Sequence, residues 1–136
     1  MTWNCRCGDI HEDSERLCYI CGMTVTRVLV LQGALGQRKF TIEGRPIPIG
    51  NRIYSSLVGP ESQYAASSQF NLEKGSDGDW YITACPKTVN ATLVNDTLCE
   101  DGTPIKLQDG DVIKIGSRVD LSRNFAHLSV SFEIKQ

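Results

Sequence analysis

The clearest pattern in the chain is the alternation of Leu128, Val130, Phe132 and Ile134 with polar or small neighbours over His127–Ile134, the period of a half-buried strand. Shorter apolar or alternating runs fall at Arg27–Leu31, Lys39–Ile42, Ile47–Ile49, Gln69–Glu73, Trp80–Ala84, Thr92–Val94, Ile105–Lys106 and Val112–Ile115. Gly, Pro, Asn and Asp punctuate them, and no stretch after Arg27 keeps a convincing helical period. Gly75–Asp79 and Asp109–Asp111 carry the chemistry of hairpins or tight turns. So many short strands predict an all-β sandwich or barrel over residues 27–136. Phe70, Trp80, Tyr81 and Phe132 are expected in its core or on its sheet faces, and His127 on a half-exposed face. The longest connection without strand character, Ser55–Ser68, is where function is expected, because long connections in compact domains tend to carry it.

The first 22 residues have a different texture. Cys5-Arg6-Cys7-Gly8 and Cys18-Tyr19-Ile20-Cys21-Gly22 form two close pairs, while Cys85 and Cys99 stand alone downstream. Paired spacing of this kind reads as a metal site rather than a disulfide ladder. A segment this short cannot bury enough apolar surface to fold by itself. Four thiolates on Zn²⁺ would change that, since structural zinc in finger peptides supplies roughly 10–16 kcal/mol that doubles as folding energy. Residues 1–22 are therefore expected to be a zinc-ribbon module held by Cys5, Cys7, Cys18 and Cys21, followed by a tether at 23–26. Iron in a rubredoxin-like site suits the same sulfurs. A redox or free-thiol site, or two disulfides, is the competing reading. His11 is the one other nearby donor, otherwise a solvated loop residue. Trp3 should pack over the site, and Cys85 and Cys99 should behave as small hydrophobes.

Composition limits what the molecule can be. At 136 residues and 40% apolar content there is material for one real core. The 14 Lys and Arg against 16 Asp and Glu leave no global positive charge for nucleic acid or anionic lipid. The N-terminus lacks the basic-then-apolar layout of a signal peptide, so a cytoplasmic protein is expected and the sequons at Asn90 and Asn95 carry no glycan. With two histidines, no nucleophile and base constellation, and a four-sulfur site that leaves no open position, catalysis is not expected.

Three blocks resemble the forkhead-associated domain. Leu107-Gln108-Asp109-Gly110-Asp111-Val112-Ile113-Lys114-Ile115-Gly116 fits L-x-D-G-D-x-I-x-I-G throughout, Ile47-Pro48-Ile49-Gly50-Asn51 is similar to I-x-I-G-R, and Asn90-Ala91-Thr92-Leu93-Val94-Asn95-Asp96 to N-G-T-x-V-N-G. The resemblance covers 27–136 and implies an all-β sandwich of about eleven strands whose end loops bind phosphothreonine peptides. It implies a phosphate-contacting Arg where this chain has Asn51, with Arg52 next. The S-R-x-H element aligns to Ala66-Ser67-Ser68-Gln69, or one residue later, and keeps only a hydroxyl. The implied peptide-binding set is Asn51, Arg52, Ser67, Ser68, Thr88 and Asn90. Arg52 replaces the missing cation or is an ordinary solvated arginine, and Ser67, Ser68 and Thr88 are ligands or ordinary turn hydroxyls. Asn90 either contacts peptide backbone or bonds its own turn. A charge-assisted hydrogen bond contributes roughly 1.5–3 kcal/mol, so losing the arginine would weaken binding about ten- to a hundredfold.

The expected function is a monomeric protein-interaction adaptor, with a phosphate-independent scaffold as the alternative. The Trp3-to-Cys21 segment is also similar to zinc fingers of nuclear-pore and splicing proteins that bind single-stranded RNA or ubiquitin. RNA is disfavoured, because residues 1–26 hold Arg6 and Arg16 against Asp9, Glu12, Asp13 and Glu15. Small zinc ribbons of this type are common appendages of bacterial and archaeal proteins, where docking to another protein is the simplest role.

Overall fold

The structure is a computed structural model that describes residues 2–8, 10–12, 17–18, 26–41 and 45–135. Cys21, the tether at 23–25 and the end of the expected strand at Ile42 lie outside the described residues. The N-terminal head is a two-stranded ribbon, β1 (Thr2–Asn4) against β2 (Ile10–Glu12), in which Trp3 faces His11 across the pair. Gly8, at φ 97°, turns the chain between them and donates its N–H to Cys5 O at 2.9 Å.

The remainder is a sandwich of two antiparallel sheets. One has six strands in the order β4 (Gln37–Phe40), β3 (Thr26–Gln32), β12 (Asn124–Lys135), β11 (Val112–Gly116), β8 (Ala91–Val94) and β9 (Thr97–Leu98). The other has four, β10 (Ile105–Lys106), β7 (Trp80–Ala84), β6 (Phe70–Lys74) and β5 (Ile47–Ile49). The predicted strands each correspond to one of these within a few residues, and β9 is an addition. Alternation explains the layers: Phe70 and Leu72 on β6, Trp80 and Ile82 on β7, and Leu128, Val130 and Phe132 on β12 are all buried between the sheets.

The late motif is turn chemistry. Asp111 Oδ2 accepts the Gln108 N–H at 2.8 Å and its Oδ1 accepts from Asn95 Nδ2 at 3.1 Å, while Gly110 takes φ 90°. The Gly75–Asp79 turn closes as expected, with Gly75 N donating to Asp79 O at 2.8 Å.

One expectation fails. The pattern predicts no helix, yet α1 (Asn51–Val58) follows β5 directly and a 3₁₀ helix (Gly59–Tyr64) follows α1. The apolar face is only Ile53, Tyr54, Leu57 and Val58, interrupted by Ser55 and Ser56, which is too short for a period to register. Burial of Tyr54 and Leu57 against the sandwich holds it instead, and the Gly59 C-cap at φ 68° ends it. No described helix is long and apolar enough to cross a membrane.

Candidate functional site

The connections 50–69, 85–90 and 117–123 meet at one end of the sandwich, because Gly116 at the end of β11 lies opposite Ala91 at the start of β8. Their meeting depends on close backbone approach. A side chain at Gly50 would have its Cβ 1.9 Å from Ser67 O, so only glycine permits the contact, and Asn51 N then donates to Ala66 O at 2.9 Å. This accounts for the glycine of the Ile47–Gly50 block in steric terms.

Gln69 is the buried tie between two of these loops. It is fully buried; its Oε1 accepts from Ala66 N at 2.9 Å, and its Nε2 donates to Asn90 O and Thr92 Oγ1, each at 3.0 Å. In the register that pairs Ala66–Gln69 with S-R-x-H, Gln69 stands at the histidine position. The alignment reads as a loss there, whereas the amide gives a buried, satisfied node.

Around this node the six expected residues share one end. Asn51 and Arg52 lie in the exposed first turn of α1, about 100° apart around the helix. The Arg52 guanidinium makes no hydrogen bond or ion pair with described residues. Ser67 is exposed; Ser68 is half-buried with Oγ 3.3 Å from Cys85 Sγ. Thr88 Oγ1 donates to Asn90 O at 2.7 Å, and Asn90 Nδ2 donates to Tyr64 O at 2.9 Å. The amide of Asn90 therefore pins the 3₁₀ helix, whose Tyr64 stacks on Phe125 at 4.0 Å. Glu61 of the same helix accepts the Ala126 N–H.

The pattern along the chain gives no sign of Arg118. From the β11–β12 loop its Nε donates to Thr88 O at 3.0 Å and its Nη2 to Thr88 Oγ1 at 2.8 Å. The two residues are 30 apart in sequence, and Arg118 belongs to none of the three blocks.

The head gathers a second cluster. Cys7 Sγ lies 3.4 Å from Cys5 Sγ and 3.6 Å from Cys18 Sγ. A disulfide would need about 2.05 Å, whereas sulfurs sharing one tetrahedral ion at about 2.3 Å would sit about 3.8 Å apart. The observed spacing fits shared coordination. Cys5, His11 and Cys18 bring their ligand atoms within 4.8 Å of one another, so this donor set could hold a metal ion. His11, expected as a solvated loop residue, is instead a half-buried strand residue stacked on Trp3 at 4.4 Å. Trp3, Cys5 and Cys18 are buried together, with Ile134 of β12 packed against them. Cys99 is buried in the sandwich core as expected, and Cys85 is half-buried beside Ser68.

The profile of the FHA-domain family matches residues 47–116, just over half of the chain. Among solved structures the chain is similar to the FHA domain of an Arabidopsis thaliana hypothetical protein, with 22% identity and a TM-score of 0.56 over 82% of this chain and 88% of that one. It is similar to the N-terminal FHA domain of S. cerevisiae Rad53p, solved in complex with a phosphothreonine peptide, with 18% identity and a TM-score of 0.58 over 79% and 94%. A third likeness is to FHA-1 of Mycobacterium tuberculosis Rv1747, with 16% identity and a TM-score of 0.52 over 82% and 99%. A comparison with curated proteins finds no match. With the profile spanning the three motif blocks and the sandwich matching these structures, the chain belongs to the FHA-domain family.

Proposed function

We propose that this chain is a non-enzymatic interaction module whose end loops read a phosphothreonine peptide on a protein partner, and whose N-terminal head is a structural zinc ribbon. The peptide surface is built from Asn51, Arg52, Ser67, Ser68, Thr88 and Asn90. The observation that carries this reading is the convergence of these loops on the buried Gln69, whose bonds to Ala66 N, Asn90 O and Thr92 Oγ1 fix the backbone of two of the loops at one end before a ligand arrives. Charge supports it. In a chain of net charge −2, the loops 50–69, 85–90 and 117–123 carry Arg52, Lys87, Arg118 and Arg123 against Glu61 and Asp120. The Rad53p likeness, a complex with a phosphothreonine peptide, supports the ligand class.

Affinity is expected in the high micromolar range or weaker, because Asn51 stands where the family pattern has arginine. Calorimetry with matched phosphorylated and unmodified threonine peptides tests this. Heat with the phosphorylated member alone is the expected result, and equal binding of both would sink phosphate dependence. A phosphate-independent scaffold is the second reading, favoured by one observation: Thr88 and Asn90 spend side-chain hydrogen bonds inside the loops.

In the head, Zn²⁺ would be held by Cys5, Cys7, Cys18 and Cys21, with His11 the alternative fourth donor beside Trp3. Bound there, it would supply folding energy and no open position for chemistry. Metal content of Cys21→Ser and His11→Ala, measured by mass spectrometry under native conditions, separates the two donors. Zinc retained in His11→Ala and lost in Cys21→Ser supports the four-sulfur set; the opposite pattern replaces it.

A further inference from the structure

Resting on the peptide-binding reading above, we infer that Arg118 supplies the fixed cation of the recognition end, the part that the family pattern assigns to the position of Asn51. Two of its five N–H groups are spent on one residue, Nε on Thr88 O at 3.0 Å and Nη2 on Thr88 Oγ1 at 2.8 Å. Both bonds lie along one edge of the guanidinium. The remaining N–H groups make no hydrogen bond to the described residues, and the side chain is exposed, so a planar pair of donors is presented to solvent in a set orientation. Thr88 is itself held, since its hydroxyl donates to Asn90 O, the same carbonyl that Gln69 Nε2 reaches. The guanidinium is thus anchored through Thr88 to the buried node, whereas Arg52 has no such anchor and must be ordered when an anion arrives.

A second feature of these loops would suit a peptide ligand. Val119 and Val89, the neighbours of Arg118 and Thr88, are 94% and 86% exposed, the most exposed large apolar side chains among the described residues. They bring apolar surface to the same two loops that carry the cation. Charge complementarity fixes the occupant as a phosphorylated peptide: Lys87, Arg118 and Arg123 stand on these loops with one carboxylate, Asp120, which is occupied by the Ser122 N–H and hydroxyl at 3.1 and 2.6 Å. A free anion would use the guanidinium but would have no use for the two valines.

The test compares affinities of the full chain and its variants for a phosphothreonine peptide pool with degenerate flanks, for the same pool unmodified, and for inorganic phosphate. Arg118→Ala should cut the ratio of phosphorylated to unmodified binding about tenfold or more, and Arg52→Ala by less than about threefold. Arg118→Lys, which keeps charge and loses the fork, should fall between. Thr88→Val, which removes the Nη2 bond and leaves only the Nε bond to the Thr88 carbonyl, should also lower the ratio although no charge is lost. The ratio is the readout because collapse of the loops would weaken both pools together. An unchanged ratio in Arg118→Ala, or a loss confined to Arg52→Ala, overturns the assignment while leaving phosphopeptide binding intact. Wild-type protein that does not discriminate between the pools overturns the underlying reading as well. Inorganic phosphate that binds as tightly as the phosphorylated pool would make the site one for a free anion and overturn the peptide assignment.

Discussion

The sandwich and the head solve the folding problem in opposite ways. In the sandwich, two sheets bury Trp80, Phe70, Phe132 and a continuous layer of aliphatic residues, so apolar burial alone can offset chain entropy. Among the described residues, the head buries Trp3, Cys5 and Cys18, with help from Ile134. That is far too little at about 25 cal/mol per Å² of apolar surface. The difference teaches where each region is vulnerable: the sandwich to cavities, the head, on the zinc-ribbon proposal, to loss of its sulfur donors. It also separates their roles in space. Ile134 and Asn124 lie near opposite ends of the 12-residue β12, on the order of 30 Å apart at about 3.3 Å per residue. The head therefore leans on the end of the sandwich away from loops 50–69, 85–90 and 117–123.

The largest effect expected from breaking this contrast is chelation. Removing metal should cost the head roughly the 10–16 kcal/mol that structural zinc supplies, erasing its NMR dispersion. The sandwich melting temperature should fall by only a few degrees, through loss of cover on Ile134. Joint melting of both regions would show one cooperative unit instead. Next in size is Gln69→Leu, which strips Ala66 N, Asn90 O and Thr92 Oγ1 of a partner and should cost about 1–3 kcal/mol in denaturant titration. Wild-type stability in that variant would mean that the node is not holding the loops.

An alkaline effect follows from the core. Burial pushes the Cys99 thiol up to about 11, and burial first, then the nearby Cys99, pushes the Tyr54 hydroxyl upward as well. Both groups stay protonated in the fold while the unfolded chain loses their protons, so above about pH 9 the unfolded state binds fewer protons and stability falls as pH rises. Cys99→Ala should flatten the slope between pH 9 and 11, and an unchanged slope would refute the assignment. The smallest effect is Tyr54→Phe. Its buried hydroxyl has no hydrogen-bond partner among the described residues, so removing it should leave stability unchanged or raise it by up to about 1 kcal/mol. Destabilisation beyond that would point to a satisfied hydroxyl.

Much of the fold is legible along the chain because strand alternation and turn chemistry are local. Leu128 to Ile134 can be read two residues at a time, and Gly110 and Asp111 announce their turn. The helix α1 is not legible, since tertiary burial of Tyr54 and Leu57 forms it rather than its own period. At the end formed by loops 50–69, 85–90 and 117–123, the motifs locate the loops but not the bonds among them. Gln69 reads as a missing histidine until its three bonds are seen, and Arg118 acquires meaning only through a partner 30 residues away. In the head, paired spacing reveals the thiols, while His11 joins them because strand pairing sets it opposite Trp3.

The most direct test of the whole account is an NMR titration of the chain with a phosphothreonine peptide, run once with metal and once after chelation. The account predicts phosphate-dependent shifts confined to residues 50–69, 85–90 and 117–123, and the same in both runs. Shifts centred on the head, or loss of the loop response when metal is withdrawn, would contradict it.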